Sequence, residues 1–235
     1  MYVIGLTKEG TSKVNPDRRK VWNRRVKVAY LTFDDGPSKN TKQILDILRR
    51  YGIKGTFFVL GKETPYGLNM YRKIISQGHV LGNHTYSHDY AKIYASKKGF
   101  FQDFDRLERL LIKSVGFKPR LFRFPGGSNN RLIPKKRSPS LIRSIKAELK
   151  SRKYRYCDWT IDSLDSYPIR LSPRQISDHV LNESRISSSC IILFHDFADN
   201  STAALPVIIE GLRRQGFRFG VLSLKSYNFQ IPEGQ

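Results

Sequence analysis

The sequence alternates between short apolar runs that are typical of strands and longer segments with helical periodicity. Between the strand-like runs, apolar residues recur every three or four positions, as at Phe100, Phe104, Leu107 and Leu111. Strands separated by helices predict a parallel sheet, either a β/α barrel or an open doubly wound sheet. The strand candidates are Val26–Phe33, Gly55–Leu60, His79–Gly82, Arg120–Phe124, Tyr154–Ile161, Ser189–His195 and Phe217–Leu222.

Polar and charged side chains cluster where these strand candidates end. In β/α folds the carboxyl ends of the strands meet on one face, and catalytic groups converge there. This placement favours the barrel arrangement over the open sheet. The residues concerned are Asp34, Asp35, His84, Arg123, Asp162, Asp165 and His195.

Two of these groups have the spacing of a metal site. Asp34 and Asp35 lie where the first strand breaks into a Gly-Pro turn, and His84 and His88 are four residues apart, so one turn of backbone can aim both rings at one point. One carboxylate and two imidazoles can hold a divalent metal and leave positions open for water. The second carboxylate can then accept a proton from that water, which predicts metal-assisted hydrolysis. Without the histidines, the two acids would indicate only a turn.

The formal net charge of +22 on 235 residues is extreme. Such a surface attracts polyanions, which include nucleic acid, anionic lipid and the acidic polymers of a cell envelope. Because no nucleic-acid motif and no aromatic–basic pattern occurs, we expect no specific nucleic-acid partner. A merely solubilising surface is the alternative.

Residues 1–25 show little periodic apolar pattern and end in a basic cluster, which predicts an arm or linker. No stretch reaches the roughly 20 apolar residues of a membrane span, and the first residues are too short for a secretory apolar region. We therefore expect either a cytosolic protein or one whose export signal has been removed.

Four segments in order resemble the motifs of the polysaccharide deacetylases, the metal-dependent carbohydrate esterases of family 4 with a NodB homology domain. They are Thr-Phe-Asp-Asp-Gly-Pro at 32–37, His-Thr-Tyr-Ser-His at 84–88, Arg-Phe-Pro-Gly at 123–126 and Leu-Phe-His at 193–195. The resemblance extends from about Lys27 to Leu222. It implies a distorted (β/α)7 barrel as the catalytic domain over 26–224, with 225–235 as a C-terminal tail.

The resemblance also implies a role for each residue of the first two motifs. Asp35, His84 and His88 would bind one divalent metal, and Asp34 would be the general base. The ligand set suits zinc, while cobalt, nickel and iron are chemically acceptable.

The remaining motifs supply the other groups of the expected reaction. His195 would be the general acid that protonates the leaving amine. Arg123 would pair with a carboxylate, and Asp165 would orient His195 or pair with Arg123. The backbone N–H that follows Pro125, that of Gly126, would stabilise the tetrahedral oxyanion.

The sequence departs from the family at the substrate pocket. The family often has Trp directly after the second Asp of an Asp-x-x-Asp motif, where it lines the pocket for the acetyl methyl group. This chain has Ser166 at that position. Leu193 would then form one apolar wall, and Trp159 is expected to supply the other.

These expectations describe a metal-dependent N-deacetylase of amino sugars in a polysaccharide. Peptidoglycan N-acetylglucosamine is the favoured substrate, since an anionic bacterial wall suits a strongly basic, monomeric enzyme. Muramic acid, chitin oligomers and exopolysaccharide stay open as substrates. An acetylxylan O-esterase and a non-catalytic carbohydrate-binding relative are the alternatives from other classes.

Overall fold

A computed structural model describes residues 26–130, 138–167 and 169–232. The predicted arm over 1–25 lies outside them. The strands are β1 Lys27–Gly36, β2 Thr56–Val59, β3 Val80–Asn83, β4 Leu121–Phe122, β5 Arg155–Tyr156, β6 Ile161–Asp162, β7 Ser189–His195 and β8 Phe217–Gly220. The helices are α1 Thr41–Arg50, α2 Pro65–Ser76, α3 Tyr90–Ile93, α4 Lys97–Val115, α5 Ser138–Ser151, α6 Pro173–Ser184 and α7 Asp199–Arg214.

The strands form one parallel sheet that curls into a half-barrel. Seven strands follow one another in the order β5-β4-β3-β2-β1-β7-β6, and β8 pairs with β1 beside this path. Every strand pair in the described chain is parallel. The prediction of a distorted (β/α)7 barrel is therefore confirmed.

Helix α4 shows how the local sequence produces these elements. The Ser96 side chain accepts a hydrogen bond from the Gly99 N–H and caps the first turn, and Gly116 ends the helix in the left-handed conformation at φ 80°. The apolar residues on one face of the helix, among them Phe104 and Leu107, are fully buried against the sheet. The apolar residues that define the predicted periodicity therefore form the face of α4 that packs on the core.

One predicted strand is wrong. The run Tyr154–Ile161 is not continuous but forms β5 and β6, which lie at opposite ends of the strand order. Between them Asp158 is fully buried, and its carboxylate accepts hydrogen bonds from two other segments of the chain. Because the Asp158 carboxylate is buried and needs these hydrogen bonds, the chain leaves the sheet after β5. It crosses the open side of the half-barrel before it re-enters the sheet as β6.

The C-terminal residues run along this open side. Leu222 is fully buried, and its N–H donates to Thr56 Oγ1 at the start of β2. Further on, the Asp158 N–H donates to the Phe229 carbonyl. Residues up to 231 thus contact the segment that joins β5 to β6. No helix in the described ranges is both long and apolar enough to cross a bilayer.

Candidate active site

The sheet register brings the polar strand ends together. Asp34 lies opposite His195 in the β1–β7 pair, and Asn83 at the end of β3 lies opposite Phe122 in β4. The next residues along β3 and β4 are His84 and Arg123. All the polar strand-end groups therefore emerge from the same carboxyl edge, as the barrel arrangement predicts.

Three side chains on this edge form a candidate metal site. The Asp35 Oδ1 atom lies 3.4 Å from His84 Nε2 and 3.5 Å from His88 Nε2. This oxygen is buried and accepts no hydrogen bond from the described residues. Because a buried carboxylate oxygen without a partner is costly, a cation among these atoms is the natural way to satisfy it. The three residues predicted as ligands form the cluster.

His84 is held in the form that a metal requires. Its Nδ1 lies 2.8 Å from the carbonyl oxygen of Arg123, which can only accept, so Nδ1 carries the proton and Nε2 is left with its lone pair. Burial, reinforced by nearby His88, lowers the pKa of His84 well below its ordinary value. The ring is therefore neutral at physiological pH.

The backbone between the two histidines is an irregular loop and not the turn of regular backbone that the spacing predicts. Thr85 and His88 both have positive φ, 69° and 55°. Asp103 of α4 supports the loop, since its Oδ1 accepts from the Tyr86 and Ser87 N–H groups at 2.6 and 2.9 Å. Tertiary contacts with α4 replace local helical geometry in aiming the rings, and the spacing alone could not reveal Asp103.

Asp34 and Arg123 form a buried ion pair beneath the cluster. The Arg123 Nη1 atom donates to Asp34 Oδ1 at 2.9 Å and to Thr32 Oγ1 at 2.7 Å, and Arg123 is fully buried. Burial raises the pKa of Asp34 to about 7, although the Arg123 charge opposes this. The other Asp34 oxygen, Oδ2, lies 3.6 Å from His84 Nε2 and faces the metal cluster. Asp34 thus stands ready to accept a proton at the cluster.

His195 is paired with Asp165. Its Nδ1 donates to Asp165 Oδ1 at 2.7 Å, and its backbone N–H donates to Asp165 Oδ2 at 2.8 Å. Burial lowers the pKa of His195, but the hydrogen bond and charge of Asp165, with the charges of Asp35 and Asp34, outweigh it and raise the pKa to about 9. The ring therefore carries a proton at neutral pH.

The loop after β4 presents the backbone of Gly126. Asn130 Nδ2 and the Tyr94 hydroxyl both donate to the Pro125 carbonyl, at 3.0 and 2.8 Å. Gly126 has a φ of 73°, and a Cβ there would lie 2.8 Å from the Tyr90 hydroxyl. In the described part of the chain its N–H meets no acceptor, so the group is available to a ligand.

Asp158 is a supporting residue that sequence reasoning missed. Its Oδ1 accepts from the Ser128 N–H at 3.0 Å, and its Oδ2 accepts from the Ser128 hydroxyl at 2.6 Å and the Ile231 N–H at 2.9 Å. It therefore ties the Gly126 loop to the C-terminal segment. Its only sequence signal is an acid inside an apolar run.

We expect Asp158→Asn to loosen the Gly126 loop. One amide oxygen cannot accept three hydrogen bonds at two positions, so kcat should fall about tenfold, with an unfolding free energy lower by about 1–3 kcal/mol. KM and metal content should stay near the parent values. Steady-state kinetics and chemical denaturation measure these effects, and Asp178→Asn on the exposed face of α6 is the matched control. Unchanged kcat in folded Asp158→Asn would contradict this role.

The pocket residues lie on two sides of the site. Trp159 is half-buried beside Arg123 and Gly127, and Leu193 is buried in β7. Ser166 lines a cleft of about 380 Å³ next to Asp165. The exposed side chains of Tyr167 and Phe197 line the same cleft. Ser166 therefore contributes only a small polar side chain to this cleft.

The chain is similar to several known proteins over nearly all of its length. The family model Polysaccharide deacetylase matches residues 23–138. A peptidoglycan-N-acetylglucosamine deacetylase of Bacillus cereus is 31% identical over 92% of this chain and 74% of its own. The peptidoglycan-N-acetylmuramic acid deacetylase PdaC of Bacillus subtilis is 32% identical over 94% of this chain and 41% of its own.

A solved structure shows the same fold. The catalytic domain of a peptidoglycan N-acetylglucosamine deacetylase from Eubacterium rectale superposes with a TM-score of 0.84 at 32% identity. The match covers 89% of this chain and 94% of that domain.

Proposed function

Because this chain belongs to the polysaccharide deacetylase family, we propose that it hydrolyses N-acetyl groups of peptidoglycan N-acetylglucosamine. One observation carries the proposal. The cluster of Asp35, His84 and His88 shares one strand edge with a buried carboxylate, Asp34, and a protonated imidazole, His195. A base and an acid on either side of a metal site are what amide hydrolysis requires.

Each chain residue has a distinct task in this reaction. A divalent metal held by Asp35, His84 and His88 would supply the charge that polarises the acetamide carbonyl and acidifies water. Asp34 accepts the proton of the attacking water, and the Arg123 guanidinium holds this carboxylate in place. The Gly126 N–H donates to the oxyanion as it forms.

His195 completes the cycle. Its Nδ1 is engaged by Asp165, so the proton on Nε2 passes to the amine as the C–N bond breaks. The products are acetate and a glucosamine-type residue. The two imidazole nitrogens and one carboxylate oxygen of the cluster make zinc our first choice of metal, with cobalt, nickel or iron as acceptable substitutes.

The pH profile should report the Asp165–His195 pair. His195 carries its proton below its raised pKa and loses it above. Because only the protonated ring can act as the acid, kcat/KM should fall as pH rises through about 9. In Asp165→Asn the charge that raises the pKa of His195 is gone, and we expect this alkaline limb to move at least one pH unit lower. Glu63→Gln, which removes an exposed carboxylate from the same edge, should leave it in place. If the alkaline limb of kcat/KM lies at the same pH in Asp165→Asn as in the parent, His195 is not the general acid.

Mass spectrometry of defined glycan fragments tests reaction and substrate together. The metal-loaded enzyme should remove one acetyl group from the N-acetylglucosamine of peptidoglycan fragments. Loss from muramic acid instead would match the activity named for the similar PdaC. Acetate released only from acetylated xylan would indicate an O-esterase, and no release from any fragment would overturn the proposal.

A peptidoglycan substrate also implies a place of action. The polymer lies outside the bacterial cytoplasm and is anionic, so we propose that this basic enzyme works as a monomer at the cell envelope. Over the described residues we propose a single catalytic domain across 26–224. The predicted tail from 225 adds the contacts with Asp158.

A further inference from the structure

The edge of the sheet opposite the candidate active site is strongly basic. Six connections there lead from a helix into a strand, at 51–55, 77–79, 116–120, 152–154, 185–188 and 215–216, and none contains Asp or Glu. Nine cations lie in these connections or at the strand starts beside them, and two of them, Lys118 and Arg152, are paired with acids of α4 and α5. The other seven have no such partner among the described residues. This basic rim consists of Lys27, Lys54, Arg120, Lys153, Arg155, Arg185 and Arg218.

These cations are not neutralised by neighbouring acids. Among the described residues none of the seven forms an ion pair, whereas Lys118 close by is paired with Glu108. The hydrogen bonds of the rim go instead to carbonyl oxygens, as from Arg120 to Arg152 and from Arg155 to Ser223. Their charge therefore faces solvent undiminished.

The acids are concentrated on the other edge. Within the described residues, the segments that follow the strands carry Asp35, Glu63, Asp89, Asp165, Asp196 and Asp199. The two edges are separated along β1 by the seven residue-to-residue steps from Lys27 to Asp34, about 23 Å at roughly 3.3 Å per residue. The two ends therefore differ in charge, since the catalytic end carries these carboxylates together with cations such as Lys39, Lys62 and Lys92, while the connections at the other end carry no carboxylate.

Complementing the helix dipoles explains only part of the rim, because Lys27 donates to the carbonyl of Arg185 at the end of α6 and Arg120 to that of Arg152 directly after α5. Cations in the last turn of a helix, such as Arg49 and Arg50 of α1, do have that ordinary role, but the effect fades beyond that turn. Lys54 lies past the end of α1, and Arg155 and Arg218 lie within strands. Their position calls for an external anion.

Large apolar side chains are exposed between these cations. Ile186 is 94% exposed, Val26 54% and Phe117 44%. Ile186 and Val26 adjoin rim residues in sequence, and Phe117 lies in the same connection as Arg120. The Lys27 Nζ donates to the Arg185 carbonyl, which places Ile186 beside the start of β1. Cations surrounding exposed apolar groups suit a surface that offers both negative charge and a hydrocarbon interior.

We propose that the basic rim docks on the anionic surface of a lipid bilayer. The cations attract acidic headgroups, and Ile186, Val26 and Phe117 enter the interface. Docked this way, the enzyme presents its active site away from the membrane. This proposal is independent of the substrate, and the hydrolysis of small soluble fragments should not depend on it.

Vesicle sedimentation tests the proposal. The full chain should bind vesicles of phosphatidylcholine with 30% phosphatidylglycerol, bind pure phosphatidylcholine far less, and be released by salt. A triple variant, Lys54→Glu, Arg120→Glu and Arg218→Glu, should bind about 100-fold more weakly, since each cation near an anionic surface contributes about fivefold. If this triple variant unfolds, the three single reversals take its place, each with about a fivefold loss.

Matched controls separate the rim from net charge. Reversal of Lys39, Lys62 and Lys92 on the catalytic edge changes the net charge equally and should leave vesicle binding within threefold. An equal loss in both triple variants would overturn the proposal.

A second control separates a bilayer from a soluble polyanion. Ile186→Ser keeps every charge and should weaken vesicle binding about tenfold, because one apolar side chain no longer enters the interface. Ile186→Ser could instead bind vesicles as well as the parent does, while soluble polyphosphate binds as tightly as the vesicles. That result would identify a soluble polyanion as the partner and overturn the proposal of a bilayer.

Discussion

Asp34→Asn should lower kcat/KM by about a thousandfold or more. The amide keeps the size of the side chain and can still accept the Arg123 hydrogen bond, but it cannot take a proton from water. Removal of a positioned general base typically costs 10²–10⁴-fold. Kinetics with a soluble acetylated fragment measure the loss.

The same variant separates the base from the metal ligands. Because Asp35 and not Asp34 lies nearest both histidine Nε2 atoms, bound metal per chain should remain at the parent level. Asp178→Asn, at an exposed position on α6 away from the site, makes the same chemical change and should retain full activity. More than a tenth of the parent activity in folded Asp34→Asn would mean that another group is the base.

His88→Ala should abolish activity by emptying the metal site. It removes one of the three ligand atoms and leaves only His84 Nε2 beside the buried Asp35 oxygen, which has no hydrogen bond in the described residues. We therefore expect metal affinity to fall by more than tenfold. A chelator should inactivate the parent enzyme in the same way, and added zinc or cobalt should restore the parent alone. Elemental analysis of the purified chains gives the stoichiometry.

Thermal and chemical unfolding provide a second readout that needs no substrate. Metal at one hundred times its Kd should raise the parent's unfolding free energy by about 2.7 kcal/mol and leave His88→Ala nearly unchanged. His179→Ala is the control, since this histidine of α6 hydrogen-bonds the Asp162 carbonyl and lies outside the cluster. Parent-level metal content in His88→Ala would exclude His88 as a ligand.

Much of the site could be predicted because it depends on local sequence. Strand ends are marked by the change from apolar to polar residues, and parallel strands must bring those ends to one edge. One of the two adjacent acids could therefore be placed in one cluster with His84 and His88, and the family resemblance identified that acid as Asp35. The family resemblance left either His195 or Arg123 as the partner of Asp165, and the structure pairs it with His195.

The parts that failed depend on contacts between segments far apart in the chain. Tyr154–Ile161 reads as one apolar strand, but the buried Asp158 carboxylate finds its partners in Ser128 and Ile231, 30 and 73 residues away. The aim of His88 depends likewise on Asp103 of α4, which supports the loop between the histidines. Periodicity carries no information about such pairings.

The sequence by itself determined the ligand types, the alternation of strands and helices apart from the run Tyr154–Ile161, and the edge on which the polar groups emerge. These follow from side-chain chemistry and from alternation along the chain, which are local properties. Only the tertiary structure decided which residues support the metal cluster and the Gly126 loop, and at which end of the molecule the cations of the basic rim lie. Closing the half-barrel brings distant residues into contact and places the seven rim cations at the end opposite the catalytic carboxylates, because packing, and not spacing, sets which segments become neighbours.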